Sequence, residues 1–146
     1  MLIFRKMIEA DKEAISILEN ETFSDAWTEK SICDTFHQKQ AFITITEWDG
    51  KVAGYCIVYH AMDEGEIARI AVDEKYRRQG IGRELLDYTC KCCREKQIGR
   101  LLLDVRESNQ GARAFYEGYG FSKDGIRKDF YERPKENAVL MSKIIA

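Results

Sequence analysis

Apolar residues recur along the chain at two spacings, and the points where one gives way to the other mark out its elements. Leu2 to Met7 reads as a first strand. Over Asp11 to Glu21, Ala14, Ile15 and Leu18 return at helical spacing on one side. Thr28 stands ready to cap a second helix, whose apolar face is Ile32, Cys33 and Phe36. Phe42 to Thr46 alternates, and Asp49-Gly50 is a hairpin turn into Val52 to His60. Asp63-Glu64-Gly65 turns the chain again, into Glu66 to Val72. Beyond Gly80, the residues Ile81, Leu85, Leu86, Thr89, Cys92 and Cys93 share one helical face. Arg100 to Val105, Ala112 to Tyr119, Phe121 to Ile126 and Ala138 to Ile144 then read as strand, short helix, strand and strand, with Arg127 to Pro134 as a loop. The order βααβββαβαββ sets antiparallel hairpins before one long βαβ crossover. It predicts an α/β (mixed α+β) fold: a twisted mixed sheet with helices on both faces.

Composition narrows the class without naming a chemistry. A chain of 146 residues with no linker, repeat or low-complexity tract fits a single domain over 1–146. No apolar run reaches the length of a membrane-spanning helix. The start, Met1-Leu2-Ile3-Phe4-Arg5-Lys6, lacks the ordered regions of an export signal, so a cytoplasmic location is expected. A net charge of −2 argues against a general nucleic-acid binder. Five cysteines form an odd set, which suits reduced thiols. Cys90-x-Cys92-Cys93 has the wrong spacing for a zinc knuckle, with only His37 and His60 to complete it. Packing is the expected role, and no metal is expected.

The chemistry concentrates in residues 69–86. A β-rich run ends at Val72, a basic loop follows, and Gly80 and Gly82 open a helix. Strand, glycine-rich turn and helix N-terminus make an anion trap, because the first helical N–H groups lack partners and the helix dipole favours negative charge. Glycines let a phosphate approach the backbone, while Arg77, Arg78 and Arg83 add positive charge. A phosphorylated cofactor is the natural ligand. The run lacks the Gly-Lys-Ser/Thr of a P-loop, and position 85, where a dinucleotide fingerprint needs glycine, is Leu85.

Arg77-x-x-Gly80-x-Gly82 resembles the pyrophosphate loop of the acetyl-CoA-dependent GNAT N-acetyltransferases. Downstream, the strand Leu101 to Val105, then Asn109, then a helix carrying Tyr116 and closed by Gly120-Phe121, resembles the second half of the same core in order and spacing. The resemblance implies the GNAT fold, with acetyl-CoA as cofactor and a central strand pair, Glu66–Val72 and Arg100–Val105, that starts parallel and splays apart. The pantetheine arm would pair with exposed backbone around Ile70, Ala71 and Val72. The pyrophosphate would take the amides from Arg78 through Gln79, Gly80 and Ile81 to Gly82, with Arg77 and Arg83 alongside. Asn109 would contact the cofactor, and Tyr116 would be the general acid beside the thioester sulfur.

A narrower resemblance, to the ribosomal-protein alanine N-acetyltransferases, spans nearly the whole chain. It rests on Phe23-Ser24-Asp25-Ala26-Trp27-Thr28, Leu103-Asp104-Val105-Arg106-x-Ser108-Asn109, Ile126 to Tyr131, and Asn137-Ala138-Val139-Leu140-Met141. Three positions depart from that group: its proline before Trp is Ala26, its Asp before Ala is Asn137, and its catalytic Glu is Asp104. Asp104 keeps the charge with a reach shorter by about 1.5 Å, enough to turn direct proton abstraction into a water relay. Glu66 stands where histone-type members carry their catalytic glutamate, so two carboxylates compete for the role of base. Trp27, Phe130 and Tyr131 are candidates for contacting the acceptor. They suit a peptide N-terminus and equally a polyamine or an aminoglycoside. The implied activity is acetyl transfer to an amine, with the N-terminal alanine of a ribosomal protein as first candidate, by a monomer or weak homodimer. The rivals are a small-molecule amine acetyltransferase and a non-catalytic acyl-CoA sensor.

Overall fold

The computed structural model describes residues Met1–Ala146. In chain order the elements are β1 (Leu2–Lys6), α1 (Lys12–Thr22), α2 (Glu29–Phe36), β2 (Ala41–Trp48), β3 (Lys51–Ala61), β4 (Glu64–Val72), α3 (Ile81–Glu95), β5 (Arg100–Arg106), α4 (Gln110–Tyr119), β6 (Ser122–Glu132) and β7 (Lys135–Ile144). The strands form one seven-stranded sheet in the order β1-β2-β3-β4-β5-β7-β6. No helix is long and apolar enough to cross a membrane.

Local chemistry accounts for the main turns. Asp49 and Gly50 both take positive φ, 50° and 83°, the two-residue turn whose twist matches a right-handed hairpin, and Trp48 then pairs with Lys51. Thr28 caps α2 by accepting the Ser31 N–H at 3.0 Å. Asn109 caps α4 in the same way, accepting the Ala112 N–H at 3.1 Å.

Two apolar clusters cover the two faces of the sheet. On one face, α3 buries Ile81, Leu85, Leu86, Thr89, Cys90, Cys92 and Cys93, and α4 adds Tyr116. Leu85 and Leu86 are completely buried, so truncating either to alanine costs about 2–5 kcal/mol. On the other face, Ile15, Leu18 and Ile32 of α1 and α2 pack on Ile43, Ile45, Tyr55 and Ile57. Four of the five cysteines are buried, with Cys33 half-buried, and all are free thiols.

The centre of the sheet is interrupted twice. Ile57 pairs with Arg69 but Val58 pairs with Ile67, so Ala68 is an extra residue, a bulge in β4. Strand β5 runs parallel to β4 for three pairs only, from Glu64↔Arg100 to Glu66↔Leu102. Beyond Glu66 the two strands part. From there β5 is held by β7, which pairs with it along its whole length.

The loop expected over Arg127 to Pro134 is instead the outer half of a hairpin. β6 runs on to Glu132 and β7 begins at Lys135 rather than Ala138. β6 is an edge strand, exposed at almost every position, so no alternation of apolar residues marked it. Its pairing with β7 skips between Arg127 and Tyr131, where Asp129 adopts a φ of 51°.

Candidate active site

The turn after β4 is shaped by backbone conformation. A short 3-10 turn, Glu74–Tyr76, begins where Asp73 accepts the Lys75 N–H at 3.1 Å. Arg77 folds back, its Nε donating to the Val72 carbonyl at 3.0 Å, which ties the loop to the strand end. Arg78 and Gly80 then take left-handed conformations, with φ of 65° and 76°. The N–H groups from Arg78 to Arg83 make no hydrogen bond within the protein, and the first intrahelical bond runs from Glu84 N–H to the Gly80 carbonyl at 3.1 Å. Successive unpaired N–H groups at a helix N-terminus form a concave site for an anion. Gly82 serves differently from Gly80. A Cβ there would meet the Phe115 ring at 3.5 Å, an ordinary contact, so its bareness is not demanded by packing and leaves the floor of the turn open.

From this turn a cleft of about 800 Å³ runs into the gap between β4 and β5 and out through the other side of the sheet. Ile70 and Val72 line it along the β4 edge that β5 leaves unpaired. Backbone groups on such an edge need partners, and a peptide-like chain supplies them. Tyr116 and Phe115 line the α3–α4 end, and Phe23, Asp104 and Tyr131 line the end beneath α1. Leu101, Leu103 and Val105 of β5 point into the α3 cluster, so Asp104 between them faces the opposite side. The cleft therefore joins a tyrosine on one face of the sheet to a carboxylate on the other.

The titratable groups are tuned to match. Burial pushes the Tyr116 hydroxyl well above its ordinary value, with the neighbouring Cys56 adding to the effect, and no protein group hydrogen-bonds it. It holds its proton at neutral pH and has no competing partner for it. Burial, then the charge of Asp104, raise Glu66 above the usual carboxylate range against the opposing pull of Arg127. The same order of causes, burial and then Asp104, raises Tyr131. Asp104, Glu66 and Tyr131 thus form one electrostatic neighbourhood.

Most of the sequence-derived candidates meet here: Ile70, Ala71, Val72, Arg77, Arg78, Gly80, Ile81, Gly82, Arg83, Asp104, Asn109, Tyr116 and Tyr131 all line the one cleft. Four do not. Glu66 lies beside the cleft, next to Asp104, rather than in its wall. Gln79 points to solvent. Trp27 is packed against the second apolar cluster, and its backbone N–H donates to Glu19 at 2.8 Å. Phe130 lies outside the wall, edge-on to Tyr131 at 5.0 Å and under Arg127. Of the segment from Phe23 to Trp27, it is Phe23, Ser24 and Asp25 that line the cleft. Outside the cleft, Glu9, Cys33 and His37 gather on the surface within 4.8 Å of one another.

Two arginines were missed. Arg106 donates to the Pro134 carbonyl at 3.0 Å and to Glu136 at 3.2 Å, and lies 4.2 Å from the Tyr131 ring centroid, which holds the β6–β7 hairpin over the cleft. Arg69 holds the opposite wall through Glu19 and Asp25. A signal existed for the second. Glu19 falls four residues after Ile15 and next to Leu18, at a core-facing position of an amphipathic helix, and a charge there demands a partner.

Comparison with known proteins agrees with this geometry. The pattern of the Acetyltransferase (GNAT) family matches residues 6–121. The chain is 32 % identical to the [ribosomal protein bS18]-alanine N-acetyltransferase of Escherichia coli K12, over 90 % of each protein. It is 30 % identical to the enzyme of the same name from Haemophilus influenzae, over 97 % of this chain and 98 % of that one. Among solved structures, the ribosomal-protein-S18-alanine N-acetyltransferase from Escherichia coli superposes with a TM-score of 0.91 at 30 % identity, covering 100 % of this chain and 95 % of the other. Ard1 from Thermoplasma volcanium gives 0.90 at 26 % identity, covering 99 % and 98 %. The chain belongs to the GNAT acetyltransferase family, whose members are acetyl-CoA-dependent N-acetyltransferases.

Proposed function

We propose that this protein, acting as one domain in the cytoplasm, transfers the acetyl group of acetyl-CoA to the α-amino group of an N-terminal alanine, with a ribosomal protein of the bS18 kind as acceptor. The observation that carries the reading is the cleft through the sheet, with an anion-binding turn and Tyr116 on one side and Asp104 with Glu66 on the other. The names of the relatives at 30–32 % identity supply the acceptor.

Acetyl-CoA supplies an activated acyl group as a thioester. In the proposed arrangement the N–H groups of Arg78 to Gly82 hold its pyrophosphate, and the free edge of β4 holds the pantetheine amides. Asn109, its Oδ1 occupied by the helix cap, keeps its amide N–H₂ for the cofactor. Asp104 takes a proton from the incoming ammonium, directly or through one water. That demand is modest, since an α-amino group of pKa near 7.7–8.0 is already about 10–20 % neutral at pH 7, whereas a lysine is about a thousandfold charged over neutral. The amine nitrogen then bonds to the acyl carbon, the carbon–sulfur bond breaks, and Tyr116 gives its proton to the leaving sulfur. The surplus proton left on the new amide nitrogen departs through solvent, which in turn reprotonates Tyr116. Tyr131, beside Asp104, contacts the acceptor from the hairpin side.

The test is acetyl-CoA consumption with an alanine-starting peptide of bS18 sequence against a polyamine and an aminoglycoside. Peptide turnover with a product blocked at the N-terminus is expected. Turnover of the small amines alone would move the protein to the small-molecule class. Acetyl-CoA binding without product from any amine would make it a sensor.

A further inference from the structure

The segment between α1 and α2 crosses the acceptor end of the cleft, and Phe23, Ser24 and Asp25 contribute to its wall. One side chain from the sheet holds that segment. Arg69, on β4 beside the Ala68 bulge, has 14 % of its side chain exposed. Its Nε lies 3.3 Å from the Glu19 carboxylate. Its Nη2 donates to the Asp25 carbonyl at 2.8 Å and to the Asp25 carboxylate at 3.1 Å. Its guanidinium carbon stands 4.0 Å from the centroid of the Phe23 ring. Glu19 is itself completely buried and also accepts the Tyr55 hydroxyl and the Trp27 N–H.

A network of this kind is costly if it serves stability alone. A buried ion pair barely repays its desolvation, and apolar residues would fill the same volume as well. What the pair does supply is direction. A planar fork can bind two groups and stack on a ring at the same time, in one orientation. Here the fork ties the acceptor wall to the strand whose other edge forms the donor side of the gap. We propose that Arg69 is a positioning residue for the acceptor: it clamps the 23–28 segment to β4, so that Phe23 and Asp25 stand at a fixed distance from the acetyl group. The inference rests on the acetyltransferase reading above and assigns the acceptor wall within it.

Arg69→Lys tests this. Lysine keeps the charge that Glu19 requires but cannot fork to Asp25 or stack on Phe23. Acceptor KM should rise about tenfold, with kcat at saturation and acetyl-CoA affinity within about threefold of wild type, because the donor half and Tyr116 are untouched. Asp25→Asn leaves the buried Glu19–Arg69 pair in place and folds even if the arginine variant does not. It should raise acceptor KM in the same sense, and the two changes together should be less than additive. Unchanged acceptor KM in Asp25→Asn, or a fall in kcat with KM constant in Arg69→Lys, would overturn the proposal, since lost stability removes active enzyme without altering KM. KM is read on whichever amine the wild-type protein acetylates. An acceptor other than the alanine peptide would therefore sink the acceptor assignment while still testing the clamp.

Discussion

At the proposed donor end of the cleft, Arg78 to Arg83 present consecutive main-chain N–H groups from one short stretch of chain. At the proposed acceptor end, Phe23 and Asp25, Arg69, Asp104 and Tyr131 arrive from the α1–α2 segment, β4, β5 and β6. The two ends obey different rules. A pyrophosphate is a fixed ligand that any chain recognises with backbone dipoles, so its site is local and tolerant of side-chain identity except where a left-handed φ or an open surface is required. An acceptor amine is recognised by side chains held at the right distance, so its site is assembled from afar and depends on the clamps that hold each wall. Donor binding should therefore survive most substitutions at the acceptor end, while acceptor specificity shifts with a single ion pair.

The largest expected effect lies at the donor end. Gly82→Glu should abolish acetyl-CoA binding, because the carboxylate occupies and repels the phosphate position at the helix N-terminus. The protein should still fold, since a Cβ at 82 meets only the Phe115 ring and Val72 at ordinary distances. Calorimetric titration of the folded variant decides it, and unchanged affinity would remove the pyrophosphate from this turn. Next in size, Tyr116→Phe should lower kcat by about 10²-fold with little change in cofactor affinity, because the ring and its packing on Phe121 stay. Retained kcat with lost affinity would make Tyr116 a binding residue of the donor half.

At the junction of the two ends, Asp104→Asn should cut kcat/KM strongly and flatten its acidic limb. Asp104→Glu should preserve or raise activity by restoring the longer reach. Glu66→Gln should be milder, because Glu66 stands outside the cleft wall. A pH–rate profile on an alanine-starting peptide separates these outcomes. If Glu66→Gln is the severe one and both Asp104 changes are tolerated, the base is Glu66.

The same division explains what could be read from the sequence. Gly80 was legible because a left-handed residue at a helix start asks for glycine, and the element order because each buried face leaves a periodic apolar trace. The likeness over Leu103 to Asn109 fixes the register of Asp104, and the structure shows the face to which strand alternation then turns it, opposite the α3 core. The stretch from Phe23 to Trp27 is legible as the proposed acceptor side, but the arginine that holds it is not. Glu19 on the apolar face of α1 asks for a partner, but Arg69 lies fifty residues away and nothing local names it. Trp27 stands with Phe130 and Tyr131 among the aromatics suited to a peptide N-terminus, whereas Phe23 is the ring that Arg69 approaches at 4.0 Å. The sequence marks only the stretch to Ile126 of β6, because an edge strand with both faces wet has no apolar period to follow.

The smallest effect is one of stability, and it belongs to the acceptor end alone. Burial and then the neighbouring Asp104 raise Glu66 above its unfolded value, so the folded state binds this proton more tightly than the unfolded one. A group shifted in that direction favours folding fully below its unfolded pKa, and the benefit is lost as pH rises through the folded pKa. At neutral pH the ionised Glu66 therefore costs the fold something that a neutral glutamine does not. Glu66→Gln should have a higher Tm than wild type near pH 7, and the gain should vanish in acid, where both side chains are uncharged. Thermal denaturation of the two proteins across that range measures it. A Tm difference of the opposite sign, or one independent of pH, would show that the fold does not disfavour the ionised Glu66 and would remove the upward shift assigned to its burial and to Asp104. The donor end, built on backbone N–H groups, should show no such pH dependence: Gly82→Ala should shift Tm equally at both extremes.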